Sequence, residues 1–255
     1  MISAADVARL IREHDANRPR SRQVDVGPSQ LGDVCTRKLA YHALRLPHAQ
    51  RERDILPAWV GTQAHEGMRE IVHAKRWEGW QAELEVEIPG HGVVAHVDAY
   101  HEPSGLVVDW KFVSDASLRK YRATMSAQYR AQVQLYGYAI SSTLLLPVRD
   151  VAVVLIPRNG PLSGVHVWAE PYDERVALDA LRRWTNIRTV VDAYGVDALA
   201  KMPTHPDAHC EWCPWWNPGG GSLELLVVGC PGVAVQRGSA PAPWEEQQPA
   251  ATAAR

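Results

Sequence analysis

The sequence predicts an α/β fold in which a central mixed sheet is flanked by helices. Helical and strand-like hydrophobic periods follow one another along the chain. Two apolar runs, at 93–101 and 106–113, are joined by the turn sequence "HEPSG", which makes the middle of the sheet antiparallel. The order helix, strands, helix, strands, helix then requires helices on both faces of that sheet.

Each predicted element follows from its local pattern. Residues 3–15 have amphipathic helical spacing, Ser29 is placed to cap a helix that runs to Leu44, and Pro57 suits the first turn of the next helix. The predicted elements after Leu44 are a helix at 57–76, strands at 83–88, 93–101 and 106–113, a helix at 126–144, strands at 150–158 and 164–171, and a helix at 173–193.

Four regions are predicted along the chain. Residues 1–28 form an N-terminal helix and linker, and residues 29–200 form the core that carries the candidate catalytic residues. Residues 201–232 are rich in Cys, Trp, Pro and Gly and show no hydrophobic period, so this segment lacks a periodic core of its own. Residues 233–255 have the composition of a disordered tail.

Composition excludes several classes of protein. The 255 residues are 46% hydrophobic, which is enough for one sizeable core, but no apolar run is long enough to span a membrane. The N-terminus has an amphipathic pattern rather than that of a signal peptide. We therefore expect a cytoplasmic protein with reduced thiols. A net charge of −2 means that any contact with nucleic acid comes from local patches.

Two carboxylates and a lysine on adjoining strands are the first candidate catalytic residues. Asp98 lies in "GVVAHVDAY", whereas Asp109 and Lys111 lie in "GLVVDWKFV" and share one face of their strand. If the turn has a two-residue loop, Asp98 lies opposite Asp109, with Cβ atoms about 4.5–5.5 Å apart. Carboxylates this close repel each other unless a cation lies between them, and Mg²⁺ or Mn²⁺ suits such oxygen ligands.

This hairpin allows two further interpretations. The sequence "PSG" also suits a three-residue loop with a glycine bulge, and that register would place Trp110 opposite Asp98. The hairpin could equally be an ordinary one whose polar face carries these residues by chance. Further motifs are needed to decide among these interpretations.

Additional side chains extend the candidate group. His65, on the predicted helix at 57–76, could join the carboxylates as a neutral imidazole ligand. Glu85, on the strand before Asp98, is a further candidate acidic group near the metal. Gln132 and Tyr136 are four residues apart on one helix face, where an amide and a hydroxyl can hold a phosphate or orient metal-bound groups. Each of these residues alone is commonly a surface or boundary side chain.

Together these motifs resemble the RecB-like branch of the PD-(D/E)XK nucleases. They are G-x-x-x-H from Gly61 to His65, then Asp98, then Asp109-x-Lys111, then Q-x-x-x-Y from Gln132 to Tyr136. The resemblance implies a restriction-endonuclease-like core over residues 29–200. It also implies Mg²⁺ or Mn²⁺ on His65, Asp98 and Asp109, with Lys111 beside the attacking water.

The four cysteines narrow the resemblance. Cys35 precedes the motifs, and Cys210, Cys213 and Cys230 follow them, which resembles the iron–sulfur CRISPR-associated exonucleases of the Cas-four type and their phage-encoded relatives. The resemblance implies a 4Fe-4S cluster that staples the C-terminal segment to an N-terminal helix. Sixteen residues separate Cys213 from Cys230, more than is usual in that family, so His209 is an alternative fourth ligand. The same cysteines also suit a four-cysteine zinc site, or they could be buried thiols without metal.

The resemblance also implies an activity. It predicts an exonuclease that hydrolyses phosphodiester bonds in single-stranded DNA with 5′→3′ polarity. A structure-specific or duplex endonuclease of the same superfamily is one alternative, and a non-catalytic DNA-binding or assembly module is another. The family includes toroidal homo-oligomers as well as monomers, and members that work with recombination or CRISPR-type partners, so assembly stays open.

Overall fold

A computed structural model describes residues 3–17, 26–49, 54–218 and 225–233. The predicted linker around 18–25 and the predicted tail from 234 onward lie outside these residues. The chain divides into two compact units, one made of residues 1–33 and 52–186 and the other of residues 34–51 and 187–255. Within the described residues, no helix combines the length and the apolar character needed to cross a membrane.

The first unit contains a five-stranded mixed sheet, as predicted. Its strands are β1 (Trp80–Ile88), β2 (Val93–His101), β3 (Leu106–Val113), β4 (Asp150–Pro157) and β5 (His166–Pro171), in that spatial order. The pair β3 and β4 is parallel, and the remaining neighbouring pairs are antiparallel. A parallel pair needs a long crossover, which the helices between β3 and β4 provide.

Helices cover both faces of this sheet. The helices of the chain are α1 (Ala4–Ala16), α2 (Pro28–Leu31), α3 (Thr36–Ala43), α4 (Leu56–His73), α5 (Asp115–Ala123), α6 (Ala127–Thr143), α7 (Glu174–Tyr194) and α8 (Ala198–Lys201). Val72 of α4 packs in a buried apolar cluster with Ala99, Val108 and Val154 of three strands. Asp109 lies on the opposite face of β3, where α6 packs.

Two local predictions were wrong. The helix predicted from Ser29 to Leu44 is two helices, because the chain turns at Gly32 to pass against α6, where a Cβ on Gly32 would lie 2.5 Å from the Gln128 carbonyl oxygen. The first of the two is capped at Gly27 rather than at Ser29. Helix α5 was missed, although Ser114 caps it by accepting a hydrogen bond from the Ser117 amide.

The second unit orders the Cys-rich segment against α3. The buried Arg37 Nε donates to the Met202 carbonyl oxygen over 2.9 Å, and the Tyr41 hydroxyl donates to the Leu226 carbonyl oxygen. The ring of Trp215 stacks on Tyr41, with centroids 5.2 Å apart. Buried aromatic and hydrogen-bonded contacts thus replace the periodic core that this segment lacks.

Candidate active site

Asp109 is the most deeply buried member of the site. Gln132 Nε2 donates to its Oδ1 over 2.9 Å, and Lys111 Nζ donates to the same oxygen over 2.7 Å. Lys111 Nζ lies equally close to Oδ2, but without the angle of a hydrogen bond. Oδ2 is therefore a buried oxygen that accepts no hydrogen bond from the described residues. Such a buried carboxylate oxygen, with Lys111 as its charged neighbour, fits a ligand for a divalent cation.

The hairpin has the register that brings the two aspartates together. His101 pairs with Leu106, and the Gly105 amide donates to the Glu102 carbonyl oxygen over 3.2 Å, with Gly105 at φ +67°. The loop therefore has an even number of residues. Extending the register by one step past the Ala99–Val108 pair places Asp98 opposite Asp109. Trp110 instead binds Asp98 through its backbone, since its amide donates to Asp98 Oδ2 over 2.8 Å.

His65 joins the same group from helix α4. Its Nδ1 lies 3.5 Å from Asp98 Oδ2. Burial disfavours the charged imidazole, but the hydrogen bond to Asp98 and the charge of that carboxylate outweigh burial, so the pKa of His65 is raised. Burial likewise raises the pKa of the Asp109 carboxyl, against the opposing charge of Lys111. The raised pKa of Asp109 therefore comes mainly from burial, whereas that of His65 comes from the neighbouring Asp98 carboxylate.

Glu83 is a site residue that the sequence prediction missed. Its carboxylate, His65 and Asp98 each offer a ligand atom within 4.8 Å of the other two, and within the described segments no other His, Cys, Asp and Glu side chains form such a group. Glu83 has φ +50°, an uncommon conformation for a residue with a side chain. Strain of this kind, on the order of 1–3 kcal/mol, is concentrated at functional sites.

The sequence prediction named Glu85 instead, and the structure places that residue elsewhere. The β1–β2 register pairs Ala82 with Ala99 and Leu84 with Val97, so that Glu83 lies opposite Asp98. Glu85 lies opposite His96, and its carboxylate is 3.7 Å from His96 Nδ1 with 72% of the side chain exposed. No local signal separates the two residues, because Glu83 and Glu85 have the same parity on β1 and only the pairing with β2 distinguishes them.

Gln132 and Tyr136 lie where the site meets helix α6. Both are buried, and Gln132 Nε2 donates to the Tyr136 hydroxyl over 2.9 Å as well as to Asp109. In this arrangement the pair holds the carboxylate of Asp109 in one orientation. A direct contact of the pair with substrate stays a prediction.

A cavity of about 500 Å³ opens over these residues. Its lining includes His65, Asp98, Lys111, Gln132, Tyr136, Gly61 and Arg158. The volume is in the range of small-ligand sites in proteins. Two of the three predicted metal ligands, the lysine and the Gln–Tyr pair therefore line one cavity, whereas Asp109 is fully buried and reaches it through its contacts with Lys111 and Gln132.

The four cysteines all belong to the second unit. Cys35 precedes α3, the Cys213 amide donates to the Cys210 carbonyl oxygen over 2.8 Å, and Cys230 bridges to Trp216 in parallel. None forms a disulfide. Burial raises the pKa of Cys213 to about 11, and the charges of Cys35 and Cys230 add to that shift. Cys35 and Cys230 are buried, whereas Cys210 and Cys213 are partly buried.

His209, the alternative fourth ligand, is in a different environment. Its side chain is 62% exposed, and its Nδ1 lies 3.5 Å from Glu211 Oε1. Cys230, in contrast, is buried, accepts a 3.4 Å hydrogen bond from the Gly232 amide, and accepts another from Arg37 Nη1 over 3.8 Å. These donors are the usual partners of a metal-bound thiolate.

The chain belongs to a known superfamily of nucleases. The family model of the PD-(D/E)XK nuclease superfamily matches residues 73–217, more than half of the chain. Comparison with curated protein sequences gives no match. The matched range includes the strands of Asp98 and Asp109 and the helix of Gln132, whereas His65 precedes it.

Solved structures of exonucleases are similar to this chain at low sequence identity. The alkaline exonuclease of Laribacter hongkongensis is 14% identical, over 68% of this chain and 91% of that chain, with a TM-score of 0.49. The same enzyme in complex with dAMP is 13% identical, over 65% of this chain and 91% of that chain, with a TM-score of 0.44. A phage-related exonuclease from Haemophilus somnus is 12% identical, over 50% of this chain and 66% of that chain, with a TM-score of 0.35.

Proposed function

Because the chain belongs to the PD-(D/E)XK nuclease superfamily, we propose that it is a metal-dependent DNA exonuclease that degrades single strands with 5′→3′ polarity. One observation carries the proposal. Asp98 and Lys111 line one cavity, and the buried Asp109 is bonded to Lys111 and has an oxygen that accepts no hydrogen bond from the described residues. A reacting phosphodiester needs that combination of anionic metal ligands and a nearby cation.

The proposed metal ligands are His65, Asp98 and Asp109, with Glu83 as a further carboxylate. The metal would be Mg²⁺ or Mn²⁺, because the set is dominated by carboxylate oxygens. Such an ion supplies a water of lowered pKa and screens the charge that develops on the phosphate. Of the four residues, Glu83 is the one that replaces the sequence-based candidate Glu85.

The remaining residues act on charge and orientation. Lys111 is a cation fixed within 2.7 Å of Asp109, so it can stabilise negative charge on the phosphate without moving far. Gln132 holds the Asp109 carboxylate, and Tyr136 holds Gln132. We propose that these two residues fix the orientation of the Asp109 carboxylate.

For the second unit we propose a 4Fe-4S cluster on Cys35, Cys210, Cys213 and Cys230, as in the Cas-four type. The arrangement of the cysteines supports the cluster, because one cysteine precedes the nuclease motifs and three follow them, as in that family.

The test of the proposed activity is degradation of end-labelled single-stranded DNA in Mn²⁺ or Mg²⁺. The wild-type chain should shorten the strand from its 5′ end, and Lys111→Ala should not. Lys120→Ala is the matched control, because Lys120 is exposed on α5 and does not line the cavity. Equal activity of the Lys111 variant would refute this site. Cleavage of a circular strand would refute exonuclease action and favour an endonuclease.

The cluster has its own test. The protein purified without oxygen should be brown, with a broad absorbance band near ~400 nm and about four irons and four sulfides per chain. A colourless protein with one zinc per chain would refute the cluster.

A further inference from the structure

Arg158 is a cation on the wall of the candidate active-site cavity. It follows the last residue of β4 and lines the cavity together with Lys111 and His65. Lys111 is held by Asp109, whereas Arg158 makes no ion pair with any carboxylate in the part of the chain that the structure describes. The exposed arginines Arg175 and Arg182 of α7, in contrast, pair with aspartates.

The backbone around Arg158 holds its guanidinium in a fixed direction. The Arg158 amide donates to the Val113 carbonyl oxygen over 3.0 Å, and Nε donates to the Phe112 carbonyl oxygen over 2.9 Å. Both contacts attach Arg158 to the end of β3, the strand of Asp109 and Lys111. With Nε engaged, the two terminal amino groups of the guanidinium are left for a ligand.

The facing helix leaves the guanidinium uncovered. Gly61 lies on α4, and a Cβ built on it would lie 3.9 Å from Arg158 Nη2. Since glycine has no side chain, nothing from that position covers the two amino groups. Gly61 and His65 lie on one side of α4, so the open guanidinium and the metal-ligand candidate border the same space.

The charges of the cavity explain what such a cation would do. Glu83, Asp98 and Asp109 repel an approaching polyanion, and the metal and Lys111 offset this repulsion only next to the bond that is cut. A guanidinium matches two phosphate oxygens with two parallel hydrogen bonds. A cation at the end of β4 therefore suits a DNA phosphate that neighbours the reacting phosphate.

We propose that Arg158 is a phosphate-binding residue, which holds a backbone phosphodiester of the DNA strand beside the scissile one. The proposal rests on the proposed function, because it takes DNA as the ligand. Gln132 and Tyr136 are buried and hydrogen-bonded to each other, so they leave the DNA backbone without a contact that Arg158 can provide.

The test measures binding without cleavage. The full-length protein is titrated into a fluorescently labelled single-stranded DNA oligonucleotide in EDTA, at several salt concentrations, and the dissociation constant is read from anisotropy. Arg158→Gln should weaken binding roughly tenfold, which is the loss expected for a charged hydrogen-bonded contact. It should also lower the slope of log K against log salt by about 0.7, the value for one phosphate on a single strand.

Two variants serve as controls. Arg182→Gln removes another exposed arginine, one that does not line the cavity, and it should change neither the affinity nor the slope. Arg158→Lys keeps the charge but not the bidentate hydrogen bonding, so it should keep the wild-type slope and lose less affinity than Arg158→Gln. The Lys variant keeps the question answerable if the Gln variant unfolds.

The outcomes separate this inference from the proposed activity. An Arg158→Gln protein that binds like Arg182→Gln, or a Lys variant that loses the slope, overturns the phosphate contact. An effect seen only with 5′-phosphorylated strands, and not with 5′-hydroxyl strands, overturns the backbone assignment in favour of the terminal phosphate. A wild-type protein that binds strands but does not cut them in Mn²⁺ refutes the nuclease proposal alone, because the contact is measured without metal.

Discussion

The carboxylate site of the first unit and the thiol site of the second unit differ in how far the surrounding residues supply partners for their side chains. Asp109 has a lysine and a glutamine as partners, and Asp98 has a backbone amide and His65. The sheet around them has a buried apolar core of its own. Three of the four thiols, in contrast, lie in a segment without a periodic hydrophobic pattern, and burial favours the neutral form of the Cys213 thiol by raising its pKa.

This difference assigns different roles to the two proposed metals. The sheet folds around carboxylates that are already partly neutralised, so the metal there serves the reaction more than the fold. In the Cys-rich segment the proposed metal would add a cross-link to the contacts with α3, and metal binding at such sites contributes directly to folding. Loss of the first metal should therefore cost activity, and loss of the second should cost stability.

The largest expected effect is that of Asp109→Asn on activity. The change removes a negative ligand but keeps the shape of the side chain, so we expect cleavage to fall by a factor on the order of 10³. The melting temperature should fall by only a few degrees, because the Asn oxygen still accepts hydrogen bonds from Lys111 and Gln132. Both quantities come from a cleavage assay and thermal denaturation on the same preparation. A large fall in melting temperature would contradict a purely chemical role.

Cys213→Ser, in contrast to Asp109→Asn, should lower the stability of the protein. Loss of one thiolate should remove the absorbance near ~400 nm and lower the melting temperature by roughly 10 °C, since a structural metal stabilises only the folded chain. His209→Ala is the matched control, because His209 is exposed beside Glu211, and it should leave both readings unchanged. If the histidine variant lost the absorbance instead, His209 would be the fourth ligand.

A comparison of Glu83→Gln with Glu85→Gln tests which of the two glutamates belongs to the carboxylate site. The Glu83 variant should need roughly tenfold more Mn²⁺ for half-maximal cleavage, because it lacks a carboxylate near Asp98. The Glu85 variant should match the wild type, because its carboxylate is exposed and faces His96. The titration of cleavage rate against Mn²⁺ concentration tests both, and identical curves would remove Glu83 from the site.

Tyr136→Phe should have the smallest effect. It removes the hydroxyl that accepts a hydrogen bond from Gln132, and we expect kcat to fall about threefold, the cost of roughly 0.7 kcal/mol in a neutral hydrogen bond. KM should stay constant if the pair only orients Asp109. A raised KM with unchanged kcat would instead support a direct contact of the pair with the strand.

The sequence predicted most of the first unit because its signals are local. The strands of Asp98 and Asp109 and the helix of Gln132 are each defined by an uninterrupted hydrophobic period and by turn residues at their ends. The even loop at Pro103 and Ser104 was one of two registers that the same residues allow, and the structure has that one. Helix α5 was missed because its own nine residues bury only Leu118 and so carry a weak pattern.

Sequence reasoning could not find contacts that depend on what lies across the sheet or at the end of a strand. Glu83 and Glu85 have the same parity on one strand, and only the pairing with β2 distinguishes them. Arg158 is an ordinary arginine after an apolar strand until the ends of β3 and β4 bring it to the cavity. Neither residue has a local pattern that indicates its neighbours.

By itself, the sequence determined the order of helices and strands, the class of the sheet, and a set of residue types suited to metal-dependent phosphodiester hydrolysis. Hydrophobic periodicity and turn residues act over a few positions, so they can be read directly from the amino-acid sequence. Only the tertiary structure decided that Glu83 rather than Glu85 faces Asp98, that one oxygen of Asp109 accepts no hydrogen bond from the described residues, and that Arg158 borders the cavity. Those facts depend on strand pairing and packing between residues far apart in sequence, and hydrophobic patterns carry no information about such distances.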